Sequence, residues 1–300
     1  MKKYRRTFIE KIFWGAFIAA LPVVVLLRSH QLDKLLEPGD GFYASRDWSV
    51  TALSVLSVLF IAAFMGLSYF TRNAKQAALR YSRKPVKSRA TAIVSIALAV
   101  CLLWDVKVCV SFLLEHLDEV VLEINKSDAN NLFTVLMKTG LLPRLLEAVT
   151  AFPAAIFALG FGIVHWRGKS SFTKRRLLQL FLPLWLVMRT IFRFTHTLSF
   201  LRVSELFYDL LVLAFLLVFF MAFTQLHSGV NENDNDWMLP AFGFPAALFA
   251  LLCFVPRVLM IILGKSEDLT APAPADPIDL TLALFVLSIL RVRVRGRVIK

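Results

Sequence analysis

Long apolar runs separated by short polar segments dominate this sequence. The clearest run, Trp48–Phe70, contains no charged residue and has aromatic residues at both ends, as is typical of a helix anchored at two membrane interfaces. An α-helix rises about 1.5 Å per residue, so about 20 apolar residues cross a hydrocarbon core of roughly 30 Å. The pattern therefore predicts an all-α, polytopic integral membrane protein.

Eight runs are candidate spans, and the weakest is the last. In chain order they are Ile12–Leu27, Trp48–Phe70, Ala90–Leu114, Leu145–Trp166, a run from Leu177, Leu206–Gln225, Trp237–Gly264 and Leu280–Leu290. A six-span alternative stays open, in which the fifth run does not cross because it contains Arg189 and Arg193, and the eighth lies on the inner face. In both cases residues 1–300 are expected to form one transmembrane domain with no separate soluble domain.

Charge gives the predicted orientation. The segment 71–89 holds seven basic residues and no acidic one, the segment 167–176 holds five and none, and the segment 226–236 is acidic. Because basic loops favour the cytoplasmic side, the pattern predicts that both termini are cytoplasmic. The net charge of +13 then indicates contact between the basic loops and anionic lipid headgroups, with no nucleic-acid partner.

Composition agrees with this class and adds little about chemistry. Hydrophobic residues make up 58% and charged residues 18% of the chain, against about 45–50% and about 25% in soluble domains. Short loops and a basic N-terminus favour a bacterial cytoplasmic (inner) membrane. Cys101, Asp105 and Cys109 share one helical face, but without further Cys or His residues nearby we interpret them as packing residues.

No metal site, cofactor or catalytic residue is predicted. The sequence contains neither HExxH nor GxSxG, and Gly168-Lys169-Ser170 lacks the first glycine of a phosphate-binding loop, since position 163 is Ile163. The sequence indicates no particular ligand or protein partner.

Ionisable residues inside the apolar runs are the candidate functional residues, because each costs a few kcal/mol in lipid unless it is paired or hydrated. Arg189, Arg193 and His196 follow at helical spacing and share one face. The others are Asp105, Lys107, Glu147, Asp209 and Arg257. At about 1.5 Å per residue, the eight-span topology places all of them in the outer half of the membrane.

Two functions fit this pattern best, and a lipid-modifying enzyme is a third class that no motif favours. In the first, the charges pair with one another or reach the interface, and the protein is a non-enzymatic membrane component such as a sensor, assembly partner or scaffold. In the alternative, the charges line an outer vestibule of a transporter or channel-like protein for a small, possibly anionic solute. Arg189 and Arg193 would then contact the solute, with Asp105, Glu147 or Asp209 as counter-charges.

Overall fold

A computed structural model describes residues 2–35, 47–70, 87–126, 132–168, 176–196, 203–228, 237–265 and 276–295 of the chain. These residues are almost entirely helical. The α-helices are α1 (Lys2–Lys34), α2 (Trp48–Phe70), α3 (Arg89–Lys126), α4 (Leu132–Lys138), α5 (Leu141–Arg167), α6 (Phe181–His196), α7 (Val203–Ser228), α8 (Met238–Ile262) and α9 (Pro277–Arg295), and a 3₁₀ turn at Arg176–Leu180 precedes α6.

Seven helices in the described part of the chain are long and apolar enough to cross a membrane. They include the fifth run, as Leu177–Phe194, in spite of its two arginines, Arg189 and Arg193. The prediction of a polytopic helical membrane protein is therefore confirmed. The eighth run lies inside α9, which is not among the seven, so the number of crossings and the sidedness of the termini stay predictions.

The chain divides into two compact units. Unit 1 comprises Met1–Arg83 and Leu201–Lys300, and unit 2 comprises Lys84–Phe200. The prediction of a single transmembrane domain remains a prediction. Each unit has its own central helix.

Helix α8 is the central helix of unit 1 and packs against α1, α2, α7 and α9. Small residues alternate with phenylalanines along it, and Ala246, Ala247, Phe249 and Ala250 are buried. A Cβ atom on Gly243 would lie 2.9 Å from the ring of Phe219. Small side chains let membrane helices approach closely and gain dispersion contacts, which explains how one helix holds four neighbours.

Aromatic rings join α8 to the first two helices of unit 1. The Phe244 ring stacks on Phe64 of α2 at 5.3 Å and on Phe13 of α1 at 5.6 Å between centroids. Trp14 meets the same ring edge-on at 5.3 Å. Such pairs add to apolar burial when the rings are offset or perpendicular.

Helix α9 lies antiparallel to α8. A Cβ atom on Gly243, near the start of α8, would lie 3.2 Å from the end of the Leu290 side chain, near the end of α9. At the other end, Asp279 lies close enough to Cys253 for its charge to act on the thiol. Residues Ile278, Leu282, Phe285 and Ile289 are buried along its length.

Helix α5 is the central helix of unit 2 and packs against α3 and α6. Its buried face carries alanines at Ala151, Ala154, Ala155 and Ala158. A Cβ atom on Gly162 would lie only 3.1 Å from the backbone oxygen of Ala92. Helices α3 and α5 therefore approach nearly backbone to backbone, and the charged residues on their facing sides are brought together.

Candidate functional site

Asp105 of α3 lies in the interior of unit 2 and interacts with two residues of α6. Its carboxylate is 7% exposed. It accepts a hydrogen bond from Trp185 Nε1 at 3.0 Å and from Arg189 at 3.4 Å. Trp185 and Arg189 are four residues apart, so one face of α6 presents both donors to the same carboxylate.

Glu147 of α5 is fully buried and adds a second carboxylate to the cluster. Its Oε2 accepts a hydrogen bond from Arg144 at 2.6 Å, within the same helix. Its Oε1 lies 3.9 Å from a guanidinium nitrogen of Arg189. Arg189 thus lies between the carboxylates of two different helices.

Aromatic rings surround both guanidinium groups. Arg189 lies over the Trp185 ring at 5.4 Å, and Arg144 lies over Phe192 at 4.3 Å and Phe112 at 5.8 Å. Arginine is weakly hydrated and stacks well on aromatic faces, so it tolerates such surroundings better than lysine does. We call Asp105, Arg144, Glu147, Trp185 and Arg189 the charge network.

The charge network is formally neutral, with two carboxylates facing two guanidinium groups. Two of its buried atoms nevertheless have no hydrogen-bond partner, namely Glu147 Oε1 and Arg144 Nε. The free thiol of Cys109 is adjacent and also buried. Its sulfur and carboxylate oxygens of Asp105 and Glu147 all lie within 4.8 Å of one another.

The structure brings together three of the predicted site residues, which are Asp105, Glu147 and Arg189. Lys107 lies on the exposed face of α3, with its ammonium group 4.7 Å from the Trp104 ring. Arg193 follows Arg189 by one turn and is partly buried. Helix α6 ends at His196, whose side chain is outside the described part of the structure.

The remaining predicted residues, Asp209 and Arg257, belong to unit 1. Both are partly buried and, with Asp279 and Arg28, lie close enough to Cys253 for their charges to act on it. Arg28 is itself buried, donates a hydrogen bond to Gln31 at 3.2 Å, and lies over the Tyr208 ring at 5.0 Å. Unit 1 therefore has its own cluster of charged side chains near Cys253.

The predicted residues did not include several members of these sites, among them Arg144, Trp185 and Arg28. Arg144 precedes Glu147 by three residues and Trp185 precedes Arg189 by four, and both spacings put the pair on one helical face. Those spacings could have identified both. Arg28 directly follows the first apolar run, and no local pattern distinguishes it from an interfacial residue.

Comparisons with known proteins identify no relative of this chain. No protein-family model, no curated protein and no solved structure matches it.

Proposed function

We propose that this protein is a non-enzymatic membrane component, such as a sensor, assembly partner or scaffold, in which the charge network joins three helices of unit 2. The observation that carries the proposal is the position of Arg189 between Asp105 of α3 and Glu147 of α5. The arginine is 5% exposed. A guanidinium group that is buried between two carboxylates of its own chain is already neutralised, so its first role is to hold helices.

The energetic argument follows from burial. A charge in the membrane interior is costly by itself, and a neutral hydrogen-bonded group of charges is far less so. Removing one partner of such a pair is expected to be strongly destabilising because it leaves an uncompensated buried charge. Helices α3 and α6 therefore depend on each other for the neutrality of Asp105 and Arg189, and α5 adds the ion pair of Glu147 and Arg144.

The experiment measures unfolding of the detergent-purified protein after Arg189→Ala. We expect the free energy of unfolding to fall by about 3–5 kcal/mol, because Asp105 and Glu147 then lack their shared cation. The loss should be the same with and without a panel of small anions. Lys107→Ala is the matched control, since Lys107 is exposed on α3, and it should change stability by less than about 0.5 kcal/mol.

The alternative, a transporter or channel-like protein for a small anionic solute, makes the opposite prediction. If Arg189 contacted a solute, an anion from the panel would raise the melting temperature of the wild type and not of Arg189→Ala. That result, with a stability loss no larger than that of the Lys107 control, would overturn the structural role. The partly buried Arg193, one turn further along α6, is the next residue to substitute in that case.

A further inference from the structure

Helices α3 and α5 bring a thiol and two carboxylates together inside unit 2. Cys109 Sγ and carboxylate oxygens of Asp105 and Glu147 lie within 4.8 Å of one another, and all three side chains are buried. We propose that Asp105, Cys109 and Glu147 bind a divalent cation of the Zn²⁺ class. The inference rests on the proposed function in that it makes the charge network of the non-enzymatic component responsive to an ion.

An independent observation points to a ligand at this position. Glu147 is fully buried, and its Oε1 has no hydrogen-bond partner. A guanidinium nitrogen of Arg189 lies 3.9 Å from this oxygen, beyond hydrogen-bond distance. A carboxylate oxygen with unused lone pairs is costly to bury, and an oxygen of this carboxylate lies within 4.8 Å of an Asp105 oxygen and the Cys109 sulfur. A cation among the three groups would satisfy it.

The donor set selects the class of cation. One thiolate with two carboxylate oxygens suits Zn²⁺, which takes ligands at about 2.3 Å from sulfur and about 2.0–2.2 Å from oxygen. Mg²⁺ and Ca²⁺ prefer oxygen ligands and six or more of them. The three donor atoms, which lie within 4.8 Å of one another, must move closer together to reach these distances. Trp185 continues to donate to Asp105 and orients that carboxylate, as outer partners of metal ligands do.

Charge balance indicates which positive charges must leave the site when the cation binds. Cys109 loses its proton on binding, since the thiolate is the ligand. Two carboxylates, one thiolate and Zn²⁺ have a net charge of −1, which Arg189 alone neutralises. The guanidinium group of Arg144 must therefore leave Glu147. It is the most suitable group to do so, because its side chain is 16% exposed, against 6% for Arg189.

Cobalt absorption tests the site in the full-length protein. We expect Co²⁺ to produce a thiolate-to-metal charge-transfer band in the near ultraviolet, and Zn²⁺ to abolish it by displacement. Cys109→Ser should remove the band. The matched controls are Cys101→Ser and Cys253→Ser, which should keep it. A wild type without the band, or a band that survives Cys109→Ser, overturns the proposal.

A second variant tests whether the cation replaces Arg144 at Glu147. We expect Arg144→Gln to bind Zn²⁺ more tightly by about tenfold or more, because a positive charge next to the metal is removed. In the wild type, Zn²⁺ binding should release one proton from the thiol, a measurement that requires no variant. If folded Arg144→Gln bound Zn²⁺ no more tightly than the wild type, the replacement of Arg144 by the cation would be wrong. The stability loss of metal-free Arg189→Ala is independent of all these results, so the two proposals can fail separately.

Discussion

At the scale of single residues, Trp185 contacts both members of the central ion pair. Its indole N–H donates to Asp105, and its ring lies beside Arg189. Trp185→Phe keeps an aromatic face and removes the donor. We expect a loss of about 1.5–3 kcal/mol in the free energy of unfolding, the range for a hydrogen bond to a charged group.

Chemical unfolding in detergent measures this loss. Trp166→Phe in α5 is the control, because Trp166 is exposed, and its effect should be within about 0.5 kcal/mol. Equal stability of the two variants would show that the indole N–H makes no contribution. A double-mutant cycle with Asp105→Asn then measures the coupling between the two side chains directly.

Part of the charge network could be predicted from the sequence, and part could not. Charge inside an apolar run is visible in the sequence, which is why Asp105, Glu147 and Arg189 were candidates. The contact between Asp105 and Arg189 joins residues 84 positions apart. Only the packing of α3 and α6 against α5 determines that contact. For the same reason the sequence could not show Cys109 beside Glu147.

At the scale of elements, the close approach of α3 and α5 positions the network. Gly162→Ala puts a methyl group 3.1 Å from the Ala92 backbone oxygen, which cannot move without shifting α3. We expect a loss of about 1–3 kcal/mol, as for overpacking of a well-packed core. Thermal unfolding measures it.

Gly66→Ala in α2 is the control for this substitution, because nothing lies within 4 Å of its added Cβ. There the better helix propensity of alanine should raise stability by up to about 1 kcal/mol. If both glycine substitutions stabilise the protein, α3 and α5 lie further apart than a contact of 3.1 Å between Gly162 and Ala92 implies.

The boundaries of elements were predicted best where a local cause exists. The sequence predicts breaks at Gly140 and Pro143. The break at Gly140 is confirmed, since this residue has a φ of 74° and precedes α5. The break at Pro143 is wrong, because Pro143 lies inside the first turn of α5, where no N–H group is required. Helix α3 continues to Lys126, past the end of the third apolar run at Leu114. Helical propensity continues an element past the point where hydrophobicity ends.

At the scale of the whole molecule, membrane class follows from hydrophobicity alone, because every backbone group in lipid must be satisfied within a helix. Hydrophobicity alone does not determine the number of crossings. This number depends on α9, whose apolar run Leu280–Leu290 is short. The whole helix α9 has 19 residues and spans roughly 28 Å at about 1.5 Å per residue, close to the thickness of the hydrocarbon core. Helix α9 is therefore long enough for an eighth crossing, which stays a prediction.

Labelling of single cysteines with a membrane-impermeant thiol reagent tests the crossings, after the three native cysteines are replaced by alanine. Eight spans predict that Asn233→Cys and Val298→Cys react only after the membrane is opened, whereas Ser45→Cys, in the first predicted outer loop, reacts in intact cells. Reaction of Asn233→Cys in intact cells would support six spans and remove α6 from the membrane. Reaction of Val298→Cys alone would mean that α9 does not cross. Its basic tail would then lie outside, against the excess of basic residues that is predicted on the inner side.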